Sequence, residues 1–165
     1  MDINRLTQGE KIVLGSSALL VVLSFIPLWA TYSFAGLASE SFSAWSGAFG
    51  FFVKLAIILA IVALVMTVLR ATGTQLPELP VGLGLLYVGL GGLTLLGLLI
   101  GVLAGPADGG LALAAAAGLD ISRGILLFVG VILAAAMAFG GYMHMQTEDT
   151  SPAVGGPSTP PPPPV

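Results

Sequence analysis

Apolar residues come in four long runs, Ile12 to Ala30, Ala48 to Leu69, Val81 to Ala104 and Ile125 to Gly141, and glycine, proline and polar residues collect between them. A hydrocarbon layer about 30 Å thick takes roughly 20 helical residues at about 1.5 Å each, and each run meets or nearly meets that length. The pattern predicts an all-α membrane protein. Four transmembrane helices, at about 12–30, 48–69, 81–104 and 125–141, are expected to pack as a bundle within residues 1–145.

The segments between the runs are read as loops. Residues 31–47 form the first, with Pro27, Trp29 and Tyr32 near the outer end of helix one, where aromatic rings favour the headgroup boundary. Ser33-Phe34-Ala35 offers a small-x-small cleavage site, but the run before it is longer than a signal-peptide core, so a retained helix is expected. Residues 70–80 should make a tight hairpin, with Gly73 in the C-cap region and Pro77 and Pro80 resisting helix until the third run begins. In the third loop, residues 111–119 are apolar yet too short to cross. An interfacial or re-entrant segment competes there with an amino-terminal extension of helix four interrupted at Gly118. Asp120 and Ser122 read as a local helix cap, with Arg123 at the interface.

After His144 the character changes. Residues 146–165 hold Pro152, Pro157 and Pro160 to Pro164, seven of the chain's 11 prolines, and cannot bury a core. A disordered, Pro-rich tail ending in a polyproline II stretch is expected, acting as a solvated spacer; the PxxP spacing from Pro157 to Pro160 would also suit an aromatic groove.

Composition agrees with the membrane reading. Charged residues are 8% of the chain and hydrophobic residues 56%, whereas soluble domains carry about 25% charge. The net charge is −3 and the five basic residues are scattered, which excludes a nucleic-acid footprint. There is no cysteine, so disulfides, thiolate metal sites and thiol lipidation are excluded. Four crossings put both termini on one side, and Arg5, Lys11 and Arg70 on that side outnumber Lys54 and Arg123 on the other. Both termini are therefore expected to be cytoplasmic in the cell membrane.

Few residues offer chemistry. Lys54, early in helix two, is the candidate intramembrane charge: it either snorkels to the headgroups or faces the bundle and pairs with Glu40 or Asp120. His144, between Met143 and Met145, is read as a juxtamembrane histidine without metal, because adjacent helical positions point apart and no second cluster completes a site. No intramembrane carboxylate pair, HExxH motif or nucleophile with a base is evident, so neither catalytic residues, metal nor cofactor is expected.

The strongest internal signal is small residues. Gly97, Gly101 and Gly105 make two consecutive GxxxG steps, and Gly130, Ala134 and Ala138 repeat the spacing in helix four, so these two helices are expected to pack closely. Residues Leu6 to Gly15 and Ser24 to Trp29, with the general layout and the proline-rich tail, resemble small four-helix integral membrane proteins of actinobacterial type. That resemblance implies the same architecture and brings no activity or site. Small multidrug exporters also have four helices, but no glutamate stands between Ile12 and Ala30 where their first helix carries one.

The resulting expectation is a non-enzymatic accessory, scaffold or assembly component. Its partners would be the lipid bilayer and either a homo-oligomer or a larger membrane complex. The alternative is a small transporter or channel subunit acting as an oligomer, with Lys54 and the glycines of helix three lining the path.

Overall fold

The computed structural model describes residues 6–34, 38–47, 49–74, 82–105 and 119–150. They form four helices, α1 (Gln8–Ser24), α2 (Phe51–Ala71), α3 (Leu83–Ala104) and α4 (Ile125–Thr150), and three strands, β1 (Ala30–Phe34), β2 (Ala38–Phe42) and β3 (Leu119–Arg123). Phe51–Ala71, Leu83–Ala104 and Ile125–Thr147 are each long and apolar enough to cross a membrane. With 17 residues, α1 falls short of that length.

The helices close a ring in which α1 meets α2 and α4, and α3 meets the same two. Their interior is filled from side to side. Toward the sheet, Leu20, Trp29, Ile57, Leu98 and Leu127 are buried together; toward the other end, Val13, Ala63, Tyr87 and Met137 form a second cluster. Burying such side chains from water contributes about 1.5–3 kcal/mol each, but lipid withdraws most of that term, and close contact must then hold the helices together. Buried hydroxyls donate mainly within their own helices: Ser17 Oγ to Val13 O at 2.6 Å, Thr67 Oγ1 to Ala63 O at 2.8 Å and Thr94 Oγ1 to Leu90 O at 2.7 Å, with Ala56 O of α2 also at 3.4 Å from Thr94 Oγ1.

Several expectations need correcting. The chain is mostly helical but not all-α, because the expected loop 31–47 together with Ala30 supplies two strands of an antiparallel sheet ordered β2-β1-β3. β1 pairs with β2 from Ala30↔Phe42 to Phe34↔Ala38, and with β3 from Ala30↔Arg123 to Phe34↔Leu119. Thr31, Tyr32 and Phe34 suit a pleated strand, and Tyr32 meets its diagonal neighbour Phe42 edge to face at 4.6 Å. Asp120 and Ser122 are therefore strand residues and not a helix cap.

The helix limits also move. The first helix covers 8–24 instead of 12–30, so Pro27 and Trp29 lie beyond it. Trp29 is fully buried and its indole N–H donates to Leu23 O at 2.7 Å, so its ring packs inside the protein and does not face outward. The fourth helix runs on to Thr150, taking 146–150 out of the expected tail. The turn at 75–80, the apolar segment 111–118 and the proline-rich stretch 151–165 lie outside the described residues. Gly73 follows the C-cap Thr72 with φ +81, a left-handed turn suited to glycine.

The sheet is tied to the helices through Trp29. Its N–H donates to Phe42 O at 3.0 Å, and its carbonyl accepts from Gly124 N at 2.8 Å. Any Cβ on Gly124 would collide with the backbone of Leu28 and Trp29, so only glycine lets α4 start there.

Candidate functional site

The ends of the helices remote from the sheet bring together Glu10, Arg70 and His144. Thr7-x-x-Glu10 opens α1 with a capping box: Glu10 N donates to Thr7 Oγ1 at 3.3 Å, while Thr7 N donates to Glu10 Oε2 at 2.8 Å. This local exchange satisfies two otherwise unpaired amides and fixes the Glu10 side chain against the helix start. The helix begins four residues before the apolar run, and Glu10 is carried inside with only 1% of its surface exposed.

Two distant residues meet it. Arg70, in the last turn of α2, places Nη1 at 2.8 Å from Glu10 Oε1. His144 of α4, 2% exposed, has Nε2 at 3.1 Å from the same Nη1 and Nδ1 at 3.0 Å from Thr7 Oγ1. Tyr87 of α3 sets its ring edge to face against the imidazole, centroids 5.9 Å apart. One residue from each helix thus converges on a single buried point.

The donors determine the state of the ring. Arginine can only donate, so His144 Nε2 accepts and the proton of a neutral imidazole sits on Nδ1, donating to Thr7 Oγ1. The Thr7 hydroxyl in turn donates a hydrogen bond to Glu10 Oε2 at 3.1 Å. Arg70 thereby neutralises the buried carboxylate: its ion pair with Glu10 joins α1 to α2, and its hydrogen bond to His144 carries the link to α4. Among the described residues no three His, Cys, Asp or Glu side chains gather as a metal would need.

The residues singled out from the sequence lie elsewhere. Gly97 and Gly101 face α2 first: a Cβ on Gly97 would come within 2.8 Å of Phe52 O, and one on Gly101 would strike Val53, with Leu127 of α4 further off at 3.7 Å. The close approach of α3 to α4 is made by other glycines, Gly84 on Met145, Gly91 on Ala138 and Gly141 on Tyr87 and Val88. A GxxxG spacing marks a bare face of one helix, and the ring order decides which neighbour fills it. Gly130 faces Trp29, Leu20 and Leu98, and Ala134 is buried in the same cluster. Ala138 meets Gly91, and Gly105, at φ +72, lies beside the Arg123 guanidinium. Lys54 is half-buried near the start of α2 and has no ion-pair partner among the described residues; Glu40 is exposed.

Glu10 and Arg70 escaped the reading of the sequence as a pair. The capping-box signature Thr7-x-x-Glu10 marks the true helix start, and it was available in the sequence. Nothing local connects Glu10 to Arg70 or to His144. No protein-family model matches the chain, and no curated protein is similar to it.

Proposed function

We propose that the chain is a four-crossing protein of the cell membrane, with both termini cytoplasmic, that acts as a non-enzymatic scaffold or assembly component. The observation that carries this reading is the filled interior. Trp29, Leu20, Ile57, Leu98, Leu127 and Met137 occupy the space between the helices, Ser17 and Thr67 spend their hydroxyls on their own backbone, and Thr94 divides its hydroxyl between its own helix and Ala56 O of α2. Groups disposed in that way brace one helix against another and offer no polar path to a solute.

The fourth crossing rests on the turn that extends α1. Phe25, Ile26 and Leu28 are exposed and continue the apolar outer surface of Leu19 and Val22, so residues 12–28 reach the sheet with no charged side chain. Glu10 lies at the far end with its charge matched by Arg70. Seventeen helical residues and this apolar turn give α1 the reach of its neighbours. Outward-facing Leu85, Leu93, Leu96, Leu103, Ile132 and Phe139 offer apolar surface to lipid or to another membrane protein.

Gentle solubilisation, affinity capture of the full chain and mass spectrometry test the reading, together with crosslinking in the native membrane. A stoichiometric membrane partner or a discrete homo-oligomer is expected. A chain recovered alone and monomeric under both conditions would refute the scaffold. Reporter fusions after Thr74 and after Val165 should report the cytoplasm, and one after Ser41 the opposite side.

A further inference from the structure

Between α2 and α3 the outer surface of the ring carries an apolar groove, and at its sheet end stands a cation that no acid answers among the described residues. We propose that this groove holds one acyl chain of an anionic phospholipid whose phosphate is bound by Arg123. The proposal goes beyond the scaffold reading and needs only that α2 and α3 cross the membrane.

The floor of the groove is set by a glycine. With no side chain at Gly97, α3 comes down on α2 so closely that a Cβ there would stand 3.0 Å from Ala56 Cβ, which closes the groove toward the interior. Phe52 and Leu59 of α2 and Leu93 and Ile100 of α3 rise on either side, and the space between them is about 370 Å³. Seven residues of helix make it about 10 Å long, so its mean cross-section is about 37 Å², half of what a helix about 10 Å across fills. A single hydrocarbon chain fits that width and a partner's helix does not. Phe52 and Leu93 are exposed at the rim, so the groove opens toward lipid.

Leu103 lies three residues beyond Ile100 on the same side of α3, about 5 Å further toward the sheet. Arg123 of β3 reaches that last turn: its Nη2 donates to Leu103 O at 3.5 Å, and its guanidinium lies beside Gly105. The guanidinium therefore stands at the mouth of the groove, where α3 ends. That one long bond leaves most of its donor fork free for another acceptor, and Arg123 is exposed, with no ion-pair partner among the described residues. Glu40 is in β2, at the far edge of the sheet, two strand spacings or about 10 Å from β3. A planar guanidinium grips a phosphate through two parallel N–H···O bonds. Phosphate and hydrocarbon are the two halves of a phospholipid, and the groups suited to each lie within two helical turns of one another.

The full chain in mild detergent is titrated with phosphatidylglycerol and, separately, with phosphatidylcholine of the same acyl chains, and bound lipid is counted by native mass spectrometry. One phosphatidylglycerol should bind about fivefold more tightly than phosphatidylcholine, the weight of one arginine against an anionic headgroup. Arg123→Gln should bring the two affinities together. Lys54, two residues on from Phe52 and so about 200° round α2, points away from the groove, and Lys54→Gln should leave the ratio as it was. Leu93→Trp, which sets an indole into the groove from an exposed position, should weaken both lipids. On the unaltered chain, phosphatidylglycerol with a diazirine in its acyl chain should label residues 52–59 and 93–100 above other lipid-facing positions. Equal affinities for the two lipids, or labelling spread evenly around the ring, overturns the proposal without any variant. A preference that survives Arg123→Gln or vanishes with Lys54→Gln, or binding indifferent to Leu93→Trp, overturns it as well. So does displacement of the lipid by inorganic phosphate, which would make Arg123 an ion site independent of the groove.

Discussion

The α3–α4 contact makes a sharp prediction, because glycines on one helix should respond to the same substitution with opposite signs. A Cβ on Gly91 would lie 2.5 Å from Ala138 N and 2.6 Å from Ala138 Cα, both backbone atoms of α4 that cannot swing aside. A Cβ on Gly89, two residues away, would meet nothing within 4 Å. Replacing glycine by alanine inside a helix is worth about 0.5–1 kcal/mol of backbone entropy in either case. At Gly91 that gain is outweighed by overpacking, typically about 1–3 kcal/mol, because α3 and α4 must separate by nearly an ångström and loosen the contacts of Gly84 and Gly141 as they do. Gly89→Ala should therefore stabilise by up to about 1 kcal/mol, while Gly91→Ala destabilises by about 1–2 kcal/mol. Reversible unfolding in mixed micelles resolves such a gap, since about 1.4 kcal/mol is tenfold in the equilibrium constant. A Gly91→Ala chain as stable as Gly89→Ala would show that α3 and α4 do not approach at that point, and the packing argument would be lost.

Other expectations concern the two ends of the molecule. Glu10→Ala removes the acceptor of Thr7 N–H and the partner of Arg70, and should cost about 1–3 kcal/mol in the same unfolding assay; an unchanged midpoint would mean that the cluster does not form. Burial pushes the Tyr32 phenol above its usual range, and its hydroxyl has no hydrogen-bond partner among the described residues. The neutral form is thus the one the fold favours: its contribution is complete below the unfolded value near pH 10 and is lost as pH rises through the higher folded value. Tyr32→Phe should blunt alkaline unfolding between about pH 9 and 12 and leave stability at neutral pH almost unchanged. Because the chain has no cysteine, Thr31→Cys with Ser122→Cys should crosslink within one chain on mild oxidation through the β1–β3 register, whereas Thr31→Cys with Thr74→Cys should not.

The glycines and the ionic cluster show where local reading reaches its limit. Thr7-x-x-Glu10 and the apolar residues after it specify a helix start through contacts three residues apart, and that much is legible in the sequence. Which residues Glu10 then meets depends on Arg70 and His144, 60 and 134 positions further on, and no periodicity spans such separations. The strands were hidden for a related reason. Residues 30–34 and 38–42 are five residues each, the second with three polar residues in a row, and they gain stability as a sheet only when β3 arrives from 119–123 to complete three strands.

Taken by itself, the sequence determined where the four described helices lie, to within a few residues except at the C-terminal ends of α1 and α4, and the apolar exterior that makes the protein a membrane candidate, because hydrophobic run length is a property of neighbouring residues. Tertiary structure alone decided that Trp29 is core and not interface, that Gly97 and Gly101 serve α2 while Gly84, Gly91 and Gly141 serve the α3–α4 contact, and that Glu10, Arg70 and His144 share one buried site. Each of these depends on which helix stands next to which. In a chain whose helices are almost uniformly apolar, that order is set by the fit of small residues and the pairing of a few charges across the assembled ring, and not by any pattern along a single helix.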